Sequence, residues 1–398
     1  MDVNMINELK GKRILHWNYR GLNTLPDELK HFGELVEDLY LKWNNITALP
    51  PWIVEMKFLT NLYLYGNGLV NLPDEIGEMK SLSTLSLENN KIRTLPKTIG
   101  NLKNLNYLIL ELNQIEFLPT EIGQLKSLYV LNMKGNGLKE LPSEVCLLNS
   151  LQELILDCNQ LTCLPRNIVY LPNLNYLSIN LNLLLYLPSI WFMSNPQVRF
   201  SHNSYLNYLS YDWGCALTKV GQFLITGSVW HFDISGCTMG KLDSGEFKVC
   251  KRIMVADKVL ILPPFTKFFS FKRHYIPSLF ELAIRNVYTH MFGTKDIRQC
   301  LYPKVFELLP KEMKHILWQG PLALCHHCKK PIFTECILSI IVKYILTTGQ
   351  DLPNPHQILA CIYFCSNNCT LIFAKYELDN ENELLENISS QQLEWTIC

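Results

Sequence analysis

Four cysteines in the C-terminal third carry the clearest chemistry in this 398-residue sequence. Cys325-x-x-Cys328 and Cys365-x-x-x-Cys369 each hold two thiols at a spacing that lets one turn aim both sulfurs at a common point. Together they form a ligand set for one tetrahedral zinc. The thirty-six residues between the pairs exceed the usual zinc-ribbon spacing, and His326, His327, His356, Cys336 and Cys361 are substitute ligands. The competing reading is a set of buried apolar cysteines in a small domain, since a free thiol packs like a small hydrophobe. Four thiolates leave no coordination position for a water, and no Glu lies one or two residues from a ligand to act as a base. The expected zinc is therefore structural.

Other reactive constellations are missing. No glycine-rich phosphate loop, nucleophile elbow or paired-carboxylate motif occurs, so the chain is expected not to be an enzyme. Basic and acidic residues number 36 each, which gives no net charge and no global attraction for phosphate; nucleic acid is not the expected partner. Residues 266–275 interleave Lys267, Lys272, Arg273 and His274 with Phe268, Phe269, Phe271 and Tyr275, a short run that reads as a packed linker. The N-terminus is polar, and the longest apolar stretch, residues 336–346, falls short of the ~20 residues a spanning helix needs. No membrane association is expected, and the chain reads as cytoplasmic with the nucleus also open to it. The 14 cysteines are then free thiols.

Upstream of the cysteines, two helices are expected. Ser278-Leu279-Phe280-Glu281 has the form of a capping box, in which Ser278 bonds the N3 amide and Glu281 reaches back. The apolar stripe that follows is Leu279, Leu282, Ala283 and Val287. A second helix begins at Leu309-Pro310, carries Met313, Ile316 and Leu317 on one face, and stops at Gly320-Pro321.

The first half of the chain is a repeat. Leu-Pro pairs put prolines at Pro26, Pro50, Pro73, Pro96, Pro119, Pro142, Pro165 and Pro188, so the first step is 24 residues and the rest are 23. Six residues before each proline stands Asn44, Asn67, Asn90, Asn113, Asn136, Asn159 or Asn182, with Arg20 in the first unit. Within a unit, Leu85 and Leu87 alternate with Ser86 and Glu88, the period-two signature of a short strand with one buried face. The recurrent Asn amide is suited to bond backbone groups of the neighbouring unit. The Leu-Pro pair and a following Ile-Gly return the chain through a short helical or extended turn. Val198, Phe200, Asn203 and Tyr205 fit a ninth, degenerate capping unit, and Trp17 and Arg20 mark the first.

This pattern resembles cytosolic leucine-rich repeat proteins over residues 10–209, which implies an α/β solenoid with parallel strands on a concave face. Outward strand positions give Tyr40, Tyr63, Tyr65, Tyr107 and Tyr176, with Ile109 and Ile155, the acids Glu88, Glu111 and Asp157, and Lys42 and Lys134. Eight strands ~4.8 Å apart make a face about 35 Å long, which suits a protein partner better than a metabolite. Tyrosines are good anchors there, since a rigid ring brings area at small entropic cost.

Farther along, Ser278, Leu279, Ala283 and Val287 resemble the elongin-binding helix of the SOCS-box family. Leu309-Pro310-x-x-Met313-x-x-x-Leu317 is similar to that family's cullin box. Ala283 stands where Cys is usual, and Glu312 replaces the second proline of the cullin-five form, which points toward cullin two. The resemblance implies a substrate receptor that recruits elongin B/C and a cullin. The alternative is a scaffold that binds a small GTPase or phosphatase without ligase recruitment. The expected organisation is a repeat array over 1–209, an irregular connection over 210–276, a SOCS-box-like helical region over 277–320 and a Cys-rich tail over 321–398, the last two forming a small helical domain.

Overall fold

The alternating leucines fold as the period predicts. The computed structural model describes residues 7–188, 194, 196–206, 209–210, 251–255, 258–262, 267–269, 279–292, 308–333, 335–345, 356–366 and 369. It divides into two compact units: Met1–Leu161, Tyr170–Asn182 and Met193–Phe200 form the first, and Thr162–Val169, Leu183–Phe192 and Ser201–Cys398 the second.

The first unit carries one parallel sheet of nine three-residue strands in chain order. They are β1 (Ile14–His16), β2 (Asp38–Tyr40), β3 (Asn61–Tyr63), β4 (Thr84–Ser86), β5 (Tyr107–Ile109), β6 (Val130–Asn132), β7 (Glu153–Ile155), β8 (Tyr176–Ser178) and β9 (Gln197–Arg199). The central residue of each pairs with its equivalent in the next: Leu62 with Leu85, Leu85 with Leu108, Leu108 with Leu131, and finally Leu177 with Val198. All of these leucines are fully buried. Each contributes roughly 1.5–3 kcal/mol by leaving water.

Opposite the sheet the chain turns through 3-10 segments, Pro51–Glu55, Asp74–Glu78, Lys97–Asn101, Thr120–Gln124 and Ser143–Leu147. Pro50, Pro73, Pro96, Pro119 and Pro142 stand at their N-caps with φ between −70 and −63°. Proline's ring already fixes this angle. Gly77, Gly100 and Gly123 serve packing rather than a special φ. A Cβ on Gly100 would meet the Glu121 carbonyl oxygen at 2.4 Å, so glycine is what lets neighbouring turns approach. Three residues on, Lys80, Lys103 and Lys126 donate from Nζ to the carbonyls of Gly77, Gly100 and Gly123 at 2.6, 2.7 and 2.8 Å. These ammonium groups satisfy carbonyls that the turn leaves without a partner.

The asparagines form the expected ladder. In Asn113, Nδ2 donates to the Leu87 carbonyl of the preceding unit at 2.8 Å and to Leu110 at 3.1 Å, while Oδ1 accepts the Ile92 N–H at 3.0 Å. Asn67, Asn90, Asn136, Asn159 and Asn182 repeat the pattern.

In the second unit, α2 (Leu279–Phe292) and α3 (Lys311–Gln319) follow α1 (Asp27–Phe32) of the first. Ile284, Tyr288, Leu317 and Phe333 form its buried core, with Val287, Leu309, Met313 and Ile316 packed on it. A four-stranded sheet runs in the order β10 (Leu209–Ser210), β17 (His356–Phe364), β16 (Glu335–Ile345) and β13 (Lys267–Phe269). Two small hairpins complete the described elements: β11 (Lys251–Val255) with β12 (Lys258–Leu262), and β14 (Ala323–Leu324) with β15 (Pro331–Ile332).

One expectation is corrected here. The C-terminal part is not simply helical, because most of the apolar run at 336–346 lies in the eleven-residue strand β16, flanked by β17 and β13. An interior strand reads as a continuous run of Ile and Val and shows no alternation to reveal it. Leu317 and Phe333, on either side of the expected boundary at 320/321, pack in one core. The second helix starts at Lys311 with Pro310 as its N-cap, two residues past Leu309. Ser278 lies outside the described residues. Among those described, no helix is long and apolar enough to cross a membrane.

Candidate functional site

On the sheet's outer face, β2 and β3 bring Tyr40 and Tyr63 into a parallel stack, with ring centroids 4.5 Å apart and planes 8° apart. His16 of β1 extends the column, stacking on Tyr40 at 4.6 Å. Lys42 Nζ lies 5.1 Å from the Tyr63 ring and 5.9 Å from Tyr40, a cation held over two π faces. Burial, and secondly the neighbouring Tyr40, pushes the Tyr63 phenol above its ordinary range. Tyr65 meets the edge of Trp43 at 4.9 Å, and Trp43 stacks on Tyr19 at 6.4 Å. Tyr40, Tyr63 and Tyr65 thus belong to one aromatic surface at the start of the array.

Tyr107 and Tyr176 stand apart from it, on β5 and β8. Tyr107 is 44% exposed, and Tyr176 lies under Arg199 at 5.5 Å. The acids are already engaged. Glu88 accepts from the Ser86 hydroxyl. Glu111 pairs with Lys134 at 3.1 Å and accepts from Asn132, and its carboxylate raises the Lys134 ammonium above its usual pKa. Asp157 accepts from the Ser178 hydroxyl at 2.7 Å and the Asn180 N–H at 2.7 Å, so its carboxylate braces the end of the sheet.

One row of residues escapes the sequence reading. In each unit the residue before the ladder position takes a left-handed backbone: Tyr19, Trp43, Gly66, Asn89, Leu112, Gly135, Cys158, Leu181 and His202, with φ between 53 and 69°. A side chain there costs roughly 1–2 kcal/mol. Tyr19, Trp43, Leu112 and Leu181 are nonetheless 75, 43, 50 and 52% exposed and line one rim of the array. The Trp43 ring covers Gly66, where a Cβ would come within 2.7 Å of it, and Leu112 covers Gly135 in the same way. Behind Trp43 opens a groove lined by Tyr19, Asn45, Thr47, Gly68, Asn89 and Lys91. The signal that marks the row is the recurrence of Gly and Asn, the types that tolerate this backbone, at Gly66, Asn89 and Gly135.

In the second unit, α2 shows two faces. Ile284 and Tyr288 are buried and Val287 packs on the core, while Leu279, Phe280 and Leu282 are 84, 41 and 45% exposed. Ala283 is half-buried between them. In the cullin-box pattern, Pro310 is exposed, Leu309 and Met313 pack partly on the core, and Leu317 is wholly inside it.

The four cysteines converge. Their sulfurs all lie within 4.8 Å of one another, with Cys328 to Cys365 at 3.4 Å and Cys365 to Cys369 at 3.6 Å. Zinc–sulfur bonds of about 2.3 Å in a tetrahedron place sulfurs about 3.8 Å apart, so the set fits that ion. The turn between β14 and β15 positions the first pair. Lys329 takes φ +57° and donates its N–H to the Cys325 carbonyl, and the Cys325 N–H bonds Lys330. Cys365 follows β17 directly, and the Cys369 N–H donates to Ser366 Oγ at 3.4 Å. A hydrogen bond from Cys365 holds the Cys325 thiol down at about 4. The same contact pushes Cys365 up, and burial raises Cys369. His326 and His327 are not among the converging groups. Cys336, Cys361 and His356 lie on β16 and β17, and their side chains fall outside the described residues.

Residues 96–183 match the model of a leucine-rich repeat region and residues 57–115 that of a leucine-rich repeat. Among solved structures, a leucine-rich repeat protein of Leptospira interrogans is 34% identical over 50% of this chain and 56% of its own, with a TM-score of 0.45. An internalin of Listeria monocytogenes is 21% identical over 46% of this chain and 58% of its own, with a TM-score of 0.38. The chain thus spans little more than half the length of either. No curated protein matches it. The family models, together with the nine-stranded sheet and the asparagine ladder, identify residues 57–183 as a leucine-rich repeat region.

Proposed function

We propose that the protein is a non-enzymatic interaction module and a substrate receptor of a cullin-RING ubiquitin ligase. The concave sheet captures a partner protein, α2 binds elongin B/C, and the four cysteines hold a structural zinc. The observation that carries this reading is the outward face of α2, where Leu279 and Leu282 are 84 and 45% exposed on a helix whose other face is packed. Exposed leucines on adjacent turns fit a partner's groove. Burying Leu279 in such a groove contributes roughly 1.5–3 kcal/mol, and each 1.4 kcal/mol is tenfold in affinity. Leu279→Asp is therefore expected to weaken elongin B/C binding at least tenfold in calorimetry with purified proteins, with the thermal unfolding curve unchanged. Undiminished affinity in the mutant would exclude α2 as the elongin helix.

At the other end, Tyr40, Tyr63 and Tyr65 together with Glu88 and Glu111 form the capture surface. Changing the three tyrosines to Ala should abolish recovery of the main cellular partner in pull-downs made with elongin recruitment blocked, while far-UV circular dichroism stays as in the wild type. Recovery at the wild-type level would move the capture surface elsewhere. Burial of Leu317 in the core favours a second reading, a scaffold that binds a small GTPase or phosphatase and recruits no cullin.

A further inference from the structure

Glu281 is the third residue of an apolar-faced helix, yet its side chain is wholly buried. Its Oε1 accepts a bond from Arg285 Nε at 2.7 Å and one from the Phe333 backbone N–H at 3.0 Å, 52 residues along the chain. Arg285, itself 11% exposed, reaches on with Nη1 to the Cys365 carbonyl at 3.4 Å. Phe333 follows β15, the strand that closes the Cys325–Cys328 turn, and Cys365 is a member of the sulfur cluster. A direct bond from the His326 N–H to the Tyr363 carbonyl at 2.9 Å joins the same two segments. One carboxylate–guanidinium pair on α2 therefore grips the backbone beside both cysteine pairs.

The energetics make this arrangement informative. A buried ion pair is no more stabilising than well-packed apolar residues of similar volume, whereas breaking it leaves an uncompensated charge. A helix that needed only a core would be served by a second pair like Ile284 and Tyr288. What the charged pair adds is a fixed register, because its bonds form only when the two cysteine segments stand at one particular separation.

We propose that Glu281 and Arg285 are positioning residues that couple the four-sulfur site to α2, so that metal held by Cys325, Cys328, Cys365 and Cys369 sets how the helix docks and how its exposed face is presented. This inference rests on the zinc reading above. Closing the sulfurs around an ion fixes the distance between the Phe333 N–H and the Cys365 carbonyl. Opening them lets that distance change and unseats the pair. Coupling of this kind is reciprocal, so undocking α2 also loosens the metal.

The test is amide hydrogen exchange across residues 279–292 of the full-length protein, with zinc content measured on the same samples. In wild-type protein, removal of zinc with a chelator is expected to speed exchange in α2 at least tenfold. In Glu281→Leu combined with Arg285→Met, which leaves no unpaired charge, α2 is expected to exchange at least tenfold faster than wild type with zinc still bound. Zinc transfer to a chromogenic chelator should be faster by a similar factor. Since the wild-type comparison requires no substitution, it holds even if the double variant folds poorly. Stoichiometric zinc with no effect of its removal on α2 exchange would overturn the coupling and leave the zinc site standing. Wild-type protein that binds no zinc would overturn both.

Discussion

Protein in which Ser replaces both Cys325 and Cys328 is expected to lose its zinc and, with it, the cooperative fold of the C-terminal unit. The sulfurs lie within 4.8 Å of one another, and four thiols so close have no stable arrangement as anions without a cation among them. Beside them Ile284, Tyr288, Leu317 and Phe333 form one buried cluster. A structural zinc contributes of order ten kcal/mol, comparable to the whole net stability of a typical domain. Elemental analysis of the purified proteins should find one zinc per wild-type chain and none in the double mutant. Calorimetry should show one thermal transition lost and the transition of the repeat array retained, since the nine-stranded sheet has its own leucine core. Equal zinc in the two proteins would leave the cysteines as packed thiols.

Asn113→Ala is expected to destabilise the array markedly. It removes an amide that donates to Leu87 and Leu110 and accepts from Ile92; the two carbonyls keep their bonds from Asn90 and Asn136, while Ala leaves the buried Ile92 N–H without its partner. An unsatisfied buried N–H costs about 1–3 kcal/mol and each lost amide–carbonyl bond about 1, so the loss is roughly 2 kcal/mol or more. In a solenoid each unit is held only by its neighbours, so a break at this point falls between two half-arrays. Urea titration followed by circular dichroism should show a lower midpoint and a broadened or split transition. A shift below about 0.5 kcal/mol would mean that water replaces the ladder without cost.

How much of this was readable before folding depends on whether the residue type states its own reason. The asparagines were legible because a 23-residue period brings one amide per unit to the same place, where only backbone groups await it. The glycines at Gly77, Gly100 and Gly123 were legible as turn residues, but their reason, the approach of the next unit's carbonyl, is set by packing and leaves no local trace. The left-handed row was hidden because five of its nine members are Tyr, Trp, Leu or Cys, types that carry no preference for that backbone. Strand β16 concealed itself by being interior. At the sulfur site, pair spacing identified the cysteines, while thirty-six intervening residues left five substitute ligands open until the fold brought the four together. Glu281 was legible as half of a capping box. That its carboxylate meets Phe333 depends on a contact spanning 52 residues, beyond the reach of any local pattern.

The central claim is that α2 presents its leucines to elongin B/C. Full-length protein mixed with elongin B/C at micromolar concentration and passed over a size-exclusion column tests it most directly. The account predicts a single earlier-eluting peak containing all three chains, which Leu279→Asp resolves into its components. Separate elution of the wild-type proteins would contradict it.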